Sequence, residues 1–272
     1  MAEAGIGAVR HLVAIASGKG GVGKSTTAVN LALALAALGE RVGLLDADVW
    51  GPSLPQMLGL GAGQRPEVVE RKFLVPLRAH GVVAMSMGLL AGERTPMVWR
   101  GPMAGSALSQ LLNQTLWGAL DYLLVDLPPG TGDIQLTLAQ QAPLSGAVIV
   151  TTPQEVALAD ARKAIEMFAK VRVPVLGVVE NMAEYVCPAC GHAEHIFGEG
   201  GGARLAAEYG TRLLGALPLD PAIRTETDAG RPPVVAEPEG EAARRYRAIA
   251  TALREALAGP AAADPEIEVV DE

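Results

Sequence analysis

The chain has 272 residues, of which 50% are hydrophobic and only 4% aromatic, and its formal net charge is -8 at pH 7. A chain of this length buries roughly 75% of its unfolded surface, enough for a sizeable core without disulfides. The acidic balance argues against a broad basic surface for nucleic acid. No apolar window approaches the length of about 18 residues that a transmembrane helix needs, which argues against a membrane role. With two cysteines and no recognisable secretory signal, we expect a soluble cytoplasmic protein with metal or redox chemistry at the cysteines.

Short apolar runs alternate with helical patterns along the chain, which predicts β–α units on a parallel sheet. The predicted strands cover residues 12–16, 42–45, 122–125, 147–150, 175–179 and 213–217, and the predicted helices residues 25–38, 103–117, 133–141, 156–171, 203–209 and 239–257. Right-handed crossovers would join them into one doubly wound, mostly parallel α/β sheet with helices on both faces. Residues 73–76 and 82–86 are predicted to form a small inserted strand pair. We expect a single domain over residues 1–258 and a disordered acidic tail over 259–272.

The first predicted strand leads into a glycine-rich phosphate loop (residues 18–26) and then into a helix. Its sequence, GKGGVGKST, fits G-x-x-x-x-G-K-[ST] in the strand–loop–helix setting that the motif requires. Glycines let backbone N–H groups converge on phosphate oxygens, and the helix N-terminus adds about half a positive charge. We therefore predict binding of Mg-ATP, with Lys24 on the terminal phosphates and the Ser25 hydroxyl on Mg²⁺. The predicted nucleotide-binding residues of the loop are Gly18, Gly20, Gly21, Val22, Gly23, Lys24, Ser25 and Thr26.

Three aspartates at the ends of predicted strands are candidates for the chemistry around the nucleotide. Asp46 and Asp48 are one residue apart, hence on one face of an extended chain, and are expected where a strand beside the phosphate-loop strand would end. Asp126 ends a four-residue apolar run, which is the position of a Walker B carboxylate that reaches Mg²⁺ from a buried strand.

The two cysteines, Cys187 and Cys190, lie in one turn between a predicted strand and a predicted helix. They span at most about 10 Å of chain, so both reach one metal centre. Fe–S clusters need about four thiolates, so a cluster here would need a second protomer. His192 and His195 complete the ligand types of a zinc site, although their spacing is shorter than usual. A bridging Fe–S cluster, a structural zinc and a redox pair all stay open from these residues, and so does metal binding by either histidine.

An extra lysine, Lys19, gives the loop the pattern K-G-G-x-G-K-[ST]. This resembles the deviant Walker A class, which includes nitrogenase iron protein, the Min and Par partition ATPases and the Mrp/ApbC carriers. The resemblance implies that Lys19 reaches the phosphates of a second subunit, with two ATP molecules sandwiched in a homodimer. It also implies that Asp48 positions the attacking water, that Asp46 lies nearer the Mg²⁺ shell, and that the switch segment (residues 128–133, PPGTGD) responds to the γ-phosphate.

Further segments make the resemblance more specific. Asn181 resembles the adenine-reading Asn of the class, and Pro218 falls where the family lines the other side of the base. The segments VWRGPM (98–103), DLPPGTGD (126–133), ENM (180–182), CPACG (187–191) and IFGEGGG (196–202) resemble, in this order, the Mrp/ApbC branch, related to the eukaryotic scaffold and carrier ATPases of Fe–S assembly. The likeness covers about residues 10–235.

That branch implies a homodimer with a 4Fe–4S cluster bridged by Cys187 and Cys190 of both chains. It also implies receipt of the cluster from a donor scaffold and delivery to apo Fe–S proteins, coupled to slow ATP hydrolysis. The small N-terminal domain of many bacterial Mrp proteins and the cysteine-rich extension of the eukaryotic scaffolds are not expected in this chain, because the phosphate loop begins within its first twenty residues.

Two other functions stay open from the sequence. A partition or positioning ATPase would self-associate on DNA or membrane. The acidic end ADPEIEVVDE lacks the basic amphipathic helix of a membrane-bound form, and the net charge disfavours DNA. An ATP-dependent regulator with a structural zinc turn is the other, and metal analysis separates it from a cluster carrier.

Overall fold

A computed structural model describes residues 4–61, 63–89 and 101–259. Residues 98–100 of the VWRGPM segment and nearly all of the tail predicted to be disordered lie outside these ranges. Within the described ranges, no helix combines the length and the apolar character needed to cross a membrane.

Twelve strands and nine α-helices are present in the described ranges. The strands are β1 (Val9–Ala16), β2 (Val42–Asp46), β3 (Glu67–Val69), β4 (Phe73–Val75), β5 (Leu77–Ala79), β6 (Val82–Ser86), β7 (Leu120–Asp126), β8 (Gly146–Thr151), β9 (Val175–Glu180), β10 (Tyr185–Val186), β11 (Ala193–Glu194) and β12 (Leu213–Ala216). The helices are α1 (Lys24–Ala37), α2 (Leu54–Met57), α3 (Gly101–Gln114), α4 (Asp133–Gln141), α5 (Glu155–Lys170), α6 (Gly201–Glu208), α7 (Pro221–Asp228), α8 (Pro233–Ala236) and α9 (Glu241–Ala258).

The main sheet has the order β12-β9-β8-β1-β7-β2-β6-β5. Every neighbouring pair is parallel except β5 with β6. The predicted α/β class with a mostly parallel, doubly wound sheet is therefore confirmed. Strand β1 lies in the middle, and the chain leaves it first towards one edge and later towards the other. In such sheets ligands bind at the carboxyl ends of the strands, where the order reverses.

Helices cover both faces of this sheet. Alternate residues of β1 enter different core layers: Val13 and Ile15 pack with α1 and α9, whereas Leu12 and Ala14 pack with the layer that contains α3, α4 and α5. All four side chains are at most 3% exposed. Burial on both faces explains why these strands appear in the sequence as continuous apolar runs.

The prediction that residues 73–76 and 82–86 pair with each other is wrong, although both segments contain strands. Strand β4 pairs with β3 in a separate two-stranded sheet, and β6 joins the main sheet parallel to β2. The antiparallel partner of β6 is β5, through a two-residue turn at His80 and Gly81, both with positive φ (48° and 86°). Such a turn matches the twist of a tight hairpin. All residues of β6 are buried, as befits an internal strand.

The expectation that the Asp46 strand lies beside the phosphate-loop strand is also wrong. Strand β7 lies between β1 and β2. The register therefore places Asp126 next to Ile15 on one side and next to Asp46 on the other.

Candidate nucleotide site and cysteine hairpin

The phosphate loop joins β1 to α1 at the carboxyl edge of the sheet. Gly21 and Gly23 have φ of 82° and 83°, a left-handed conformation that favours glycine. A Cβ on Gly18 would lie 2.1 Å from the backbone carbonyl carbon of Asp160 in α5. The first turn of α1 has no side-chain cap, so its N–H groups are available to an anion. The loop therefore has the shape and the donors of a phosphate cradle.

Lys24 and Asp126 form a buried ion pair inside this cradle. The Lys24 Nζ lies 2.6 Å from Oδ1 of Asp126 and 3.1 Å from Oγ of Ser25. The other oxygen of Asp126, Oδ2, is buried without a hydrogen-bond partner among the described residues. Burial raises the pKa of Asp126, and the Lys24 ammonium opposes that rise. A hydroxyl and an orphaned carboxylate oxygen are the ligands that Mg²⁺ prefers, so the residues fit this metal.

Asp46 is fully buried next to Asp126, and its carboxylate ties three segments together. Oδ1 accepts the backbone N–H of Asp48 (3.1 Å), and Oδ2 accepts the hydroxyl of Ser86 (3.0 Å) and the N–H of Leu54 (3.3 Å). Burial, followed by the charge of Asp126, raises the pKa of Asp46 to about 7. Ser86, at the end of β6, did not stand out in the sequence because β6 was not expected in the main sheet.

Asp48 does not share an extended face with Asp46, because the strand ends at Asp46 and the chain then turns. The carboxylate of Asp48 is half-buried and its Oδ1 accepts the N–H groups of Trp50 and Gly51, both at 3.2 Å. Asp48 thus organises an exposed loop at the carboxyl end of β2. Its proposed action on water remains a prediction.

The switch segment is bonded on one side to Ser17, which precedes the phosphate loop, and on the other side to helix α4. Gly130 donates its N–H to the carbonyl of Ser17 at 2.9 Å. The buried amide of Gln135, in α4, donates to the carbonyls of Pro128 (2.7 Å) and Gly130 (3.0 Å). Sequence reasoning missed Gln135; a polar residue next to the apolar Ile134 in a short helix was the available signal.

Asn181 and Pro218 flank the same edge of the sheet. Asn181 is buried at the end of β9, and its Nδ2 donates to the carbonyl of Val22 in the phosphate loop at 2.9 Å. Pro218 lines a separate cavity of about 570 Å³, and the described residues around that cavity do not include Asn181. The lining residues are Tyr185, Val186, Pro188, Pro218, Leu219, Asp220, Pro221, Glu241 and Arg245. Adenine reading by this pair remains a prediction.

Both cysteines lie at the tip of the cysteine hairpin (residues 185–194), formed by β10 and β11 between β9 and α6. The N–H of Cys187 donates to His192 O (2.9 Å), and that of Gly191 donates to Cys187 O (2.8 Å). Both thiols are free; Cys187 is half-buried and Cys190 is exposed. The N–H groups of Ala189 and Cys190, followed by the Cys190 thiol, lower the pKa of Cys187. The hairpin thus presents two accessible thiols, one of them biased towards thiolate.

The zinc site weighed from the sequence is not formed. No group of three or more His, Cys, Asp or Glu side chains suited to a metal ion occurs among the described residues. His195 instead directs its Nδ1 to the carbonyl of Ala183 at 2.8 Å.

Comparison with known proteins identifies the family. The family model described as "ParA: NUBPL iron-transfer P-loop NTPase" matches residues 8–254 of this chain. The chain is 59% identical over 246 residues to an iron–sulfur cluster carrier protein of Pseudomonas fragi, covering 90% of this chain and 86% of the relative. It is 56% identical to the carrier protein of Escherichia coli strain K12, covering 91% of this chain and 67% of the relative. It is 53% identical to the mouse iron–sulfur cluster transfer protein NUBPL, covering 89% and 76%.

Solved structures agree with the fold. A nucleotide-binding protein of Archaeoglobus fulgidus in complex with ADP is 40% identical, with a TM-score of 0.75 over 87% of this chain and 91% of that chain. The cell-division ATPase MinD of Pyrococcus furiosus, at 24% identity and a TM-score of 0.69 over 90% and 99%, shares the fold. The family match over residues 8–254 agrees with the phosphate loop and with the strand that ends at Asp126. The chain therefore belongs to the NUBPL-type iron-transfer P-loop NTPases of the ParA family.

Proposed function

We propose that this protein is an ATP-binding and ATP-hydrolysing iron–sulfur cluster carrier. In this proposal a homodimer holds a bridging 4Fe–4S cluster and delivers it to apo Fe–S proteins after receiving it from a donor scaffold in the cytoplasm. The observation that carries the proposal is the accessible thiol pair on a hairpin that follows β9, at the edge of the sheet that bears the phosphate loop. The names of the bacterial and mouse relatives support the same cargo.

The nucleotide part of the proposal rests on the cradle. Lys24 would bind terminal phosphate oxygens, and Ser25 and Asp126 would hold Mg²⁺, which neutralises phosphate charge when bound. Asp48, in the exposed loop after β2, would orient the attacking water. The ADP complex of the 40% identical archaeal protein supports a nucleotide at this position.

The homodimer is supported by the surface around the nucleotide. Four large apolar side chains in segments after β2, β8 and β9 are exposed: Trp50 (67%), Val156 (68%), Val186 (46%) and Ile196 (50%). They are four of the eight large apolar side chains that are exposed in the described ranges, and all four follow the carboxyl ends of strands of the main sheet. Exposed apolar side chains of this kind are typical of a protein–protein interface. Lys19 makes no ion pair with any other described residue, consistent with action across that interface. Two copies of the hairpin would supply the four thiolates of a cluster.

We further propose that Asn181 and Pro218 contact the adenine base. Asn181 contacts the phosphate loop through the carbonyl of Val22, and Pro218 follows β12, the neighbour of β9 in the main sheet. Both residues therefore lie at the carboxyl ends of adjacent strands.

Iron and acid-labile sulfide, measured on protein purified and reconstituted without oxygen, test the proposal. About four iron and four sulfide per dimer are expected for a single 4Fe–4S cluster. The matched Cys187→Ala protein should hold neither. Stoichiometric zinc without sulfide in the original protein would refute the cluster and favour a regulator with a metal turn.

A further inference from the structure

A connector (residues 180–184) joins β9 to the cysteine hairpin in a strained conformation. Met182 has a φ of 56°, in the left-handed region that a residue with a bulky side chain rarely adopts. Backbone bonds hold it from both sides: Asn181 N–H donates to Thr151 O (2.7 Å), and Ala183 N–H donates to Leu217 O (2.9 Å). Strain of this kind persists only where the surroundings over-determine the backbone, and it concentrates at functional sites.

The first end of the connector is bonded to the phosphate loop. Asn181 Nδ2 donates to the carbonyl of Val22, and a Cβ on Gly23 would lie 2.1 Å from that same nitrogen. The Asn181 amide therefore contacts the loop where it becomes α1. A shift of the loop around a phosphate changes this contact directly.

The other end of the connector is bonded to the hairpin and to the elements around it. The carbonyl of Ala183 accepts a hydrogen bond from Nδ1 of His195, the residue that follows β11. The carboxylate of Glu184 pairs with Arg245 of α9 at 2.6 Å. Glu180, at the start of the connector, accepts the N–H of Gly202 in α6. The connector is therefore attached to both strands of the hairpin: it continues directly into β10, and it is hydrogen-bonded to the residue after β11. A displacement of the connector would move both strands.

We propose that the connector couples the phosphate loop to the cysteine hairpin, with Asn181 as the positioning residue towards the loop and His195 as the positioning residue towards the hairpin. Loss of either side-chain bond separates the two sites without removing a thiol or a phosphate ligand. The proposal goes beyond the cluster-carrier function and rests on it only for the identity of the cargo.

The test uses the cluster-free full chain, whose only two cysteines are those of the hairpin. Alkylation by iodoacetamide is followed by mass spectrometry with and without saturating Mg-ADP. Mg-ADP should change the rate in the original protein by about fivefold or more, the lower range of typical coupling between two sites. His195→Ala should bring that ratio close to one and keep Mg-ADP binding, as confirmed by equilibrium dialysis. Asn181→Ala should also bring the ratio close to one, and because it alters the proposed adenine contact it is compared only at Mg-ADP concentrations that saturate the variant.

Two further variants complete the comparison. Asn113→Ala removes an amide that bonds to Ser109 on the exposed side of α3, and it should keep the original ratio. Met182→Gly removes the cost of the left-handed conformation and should lower the ratio. If Asn181→Ala fails to bind Mg-ADP, His195→Ala decides, because its bond lies on the hairpin side.

The outcomes separate the coupling from the cargo. An unchanged ratio in His195→Ala, or no effect of Mg-ADP on the original protein, overturns the coupling. Nucleotide-dependent alkylation that His195→Ala abolishes, in a protein that takes up no iron or sulfide on reconstitution, upholds the coupling and overturns the cluster cargo.

Discussion

Replacing Gly18 by alanine is the sharpest perturbation of the nucleotide site. The added Cβ would lie 2.1 Å from the carbonyl carbon of Asp160, 2.2 Å from its oxygen and 2.6 Å from the nitrogen of Ala161. Carbon atoms pack best at about 3.5–4.0 Å, so the loop or α5 must move by more than about 1 Å. The obstacle is helix backbone, which cannot rotate away as a side chain would.

Two magnitudes follow from that displacement. Overpacking of a well-packed interior costs about 1–3 kcal/mol of unfolding free energy. A misplacement of about 1 Å in a phosphate-holding group costs on the order of 100-fold in activity. We therefore expect Gly18→Ala to lower the thermal midpoint modestly and ATP hydrolysis by about 100-fold.

Phosphate release and binding of a fluorescent ATP analogue measure the effect, with circular dichroism as the check on folding. Gly7→Ala is the matched control, because a Cβ there meets nothing within 4 Å. It should match the original protein in both assays. Hydrolysis by folded Gly18→Ala within about twofold of the original would refute the argument that this contact sets the loop position.

Three other perturbations follow from the site. Lys24→Ala should abolish ATP hydrolysis and keep the iron and sulfide content, because the loop and the hairpin are separate sites; loss of cluster from the folded variant would contradict this. Cys187→Ala and Cys190→Ala should each lose the cluster and keep ATP binding, and a full cluster in either would refute the ligand assignment. Because burial holds the pKa of Asp46 at about 7, above the ordinary value of 3.8 for an aspartate, the folded state binds more protons than the unfolded state between these pH values. The unfolding free energy contributed by this group therefore falls as pH rises through that window. Asp46→Asn should flatten the fall in urea denaturation, and an unchanged slope would exclude Asp46 as its source.

The parts of the fold that could be predicted are those with a strong local pattern. Helix α4 was predicted over the same residues, 133–141, that the structure shows. The internal strands were found because burial on both faces produces continuous apolar runs. The phosphate loop and Asp126 were found because glycine spacing and a terminal carboxylate after a strand are local features. Their roles in binding remain predictions that the experiments above address.

Contacts between residues far apart in the chain could not be predicted from the sequence. Strand β6 is an apolar run whose partner, β2, lies about forty residues earlier, and no local pattern distinguishes that partner from β4. The hairpin strands β10 and β11 are two residues long and carry no periodicity. The bond from Asn181 to Val22 joins positions 159 residues apart. Such contacts depend on how the whole sheet assembles.

The buried pair of Lys24 and Asp126 has a thermodynamic consequence for how the site fills. While the lysine faces the aspartate, each charge compensates the other in the interior. A phosphate that draws the ammonium away leaves the carboxylate alone, and an uncompensated buried charge costs several kcal/mol. A divalent cation that arrives with the phosphate restores neutrality at Oδ2, which has no other partner in the described chain. If the site takes Mg²⁺ together with the nucleotide, as proposed, each strengthens the binding of the other, and by reciprocity a chelator should weaken the binding of the nucleotide as well as of the metal.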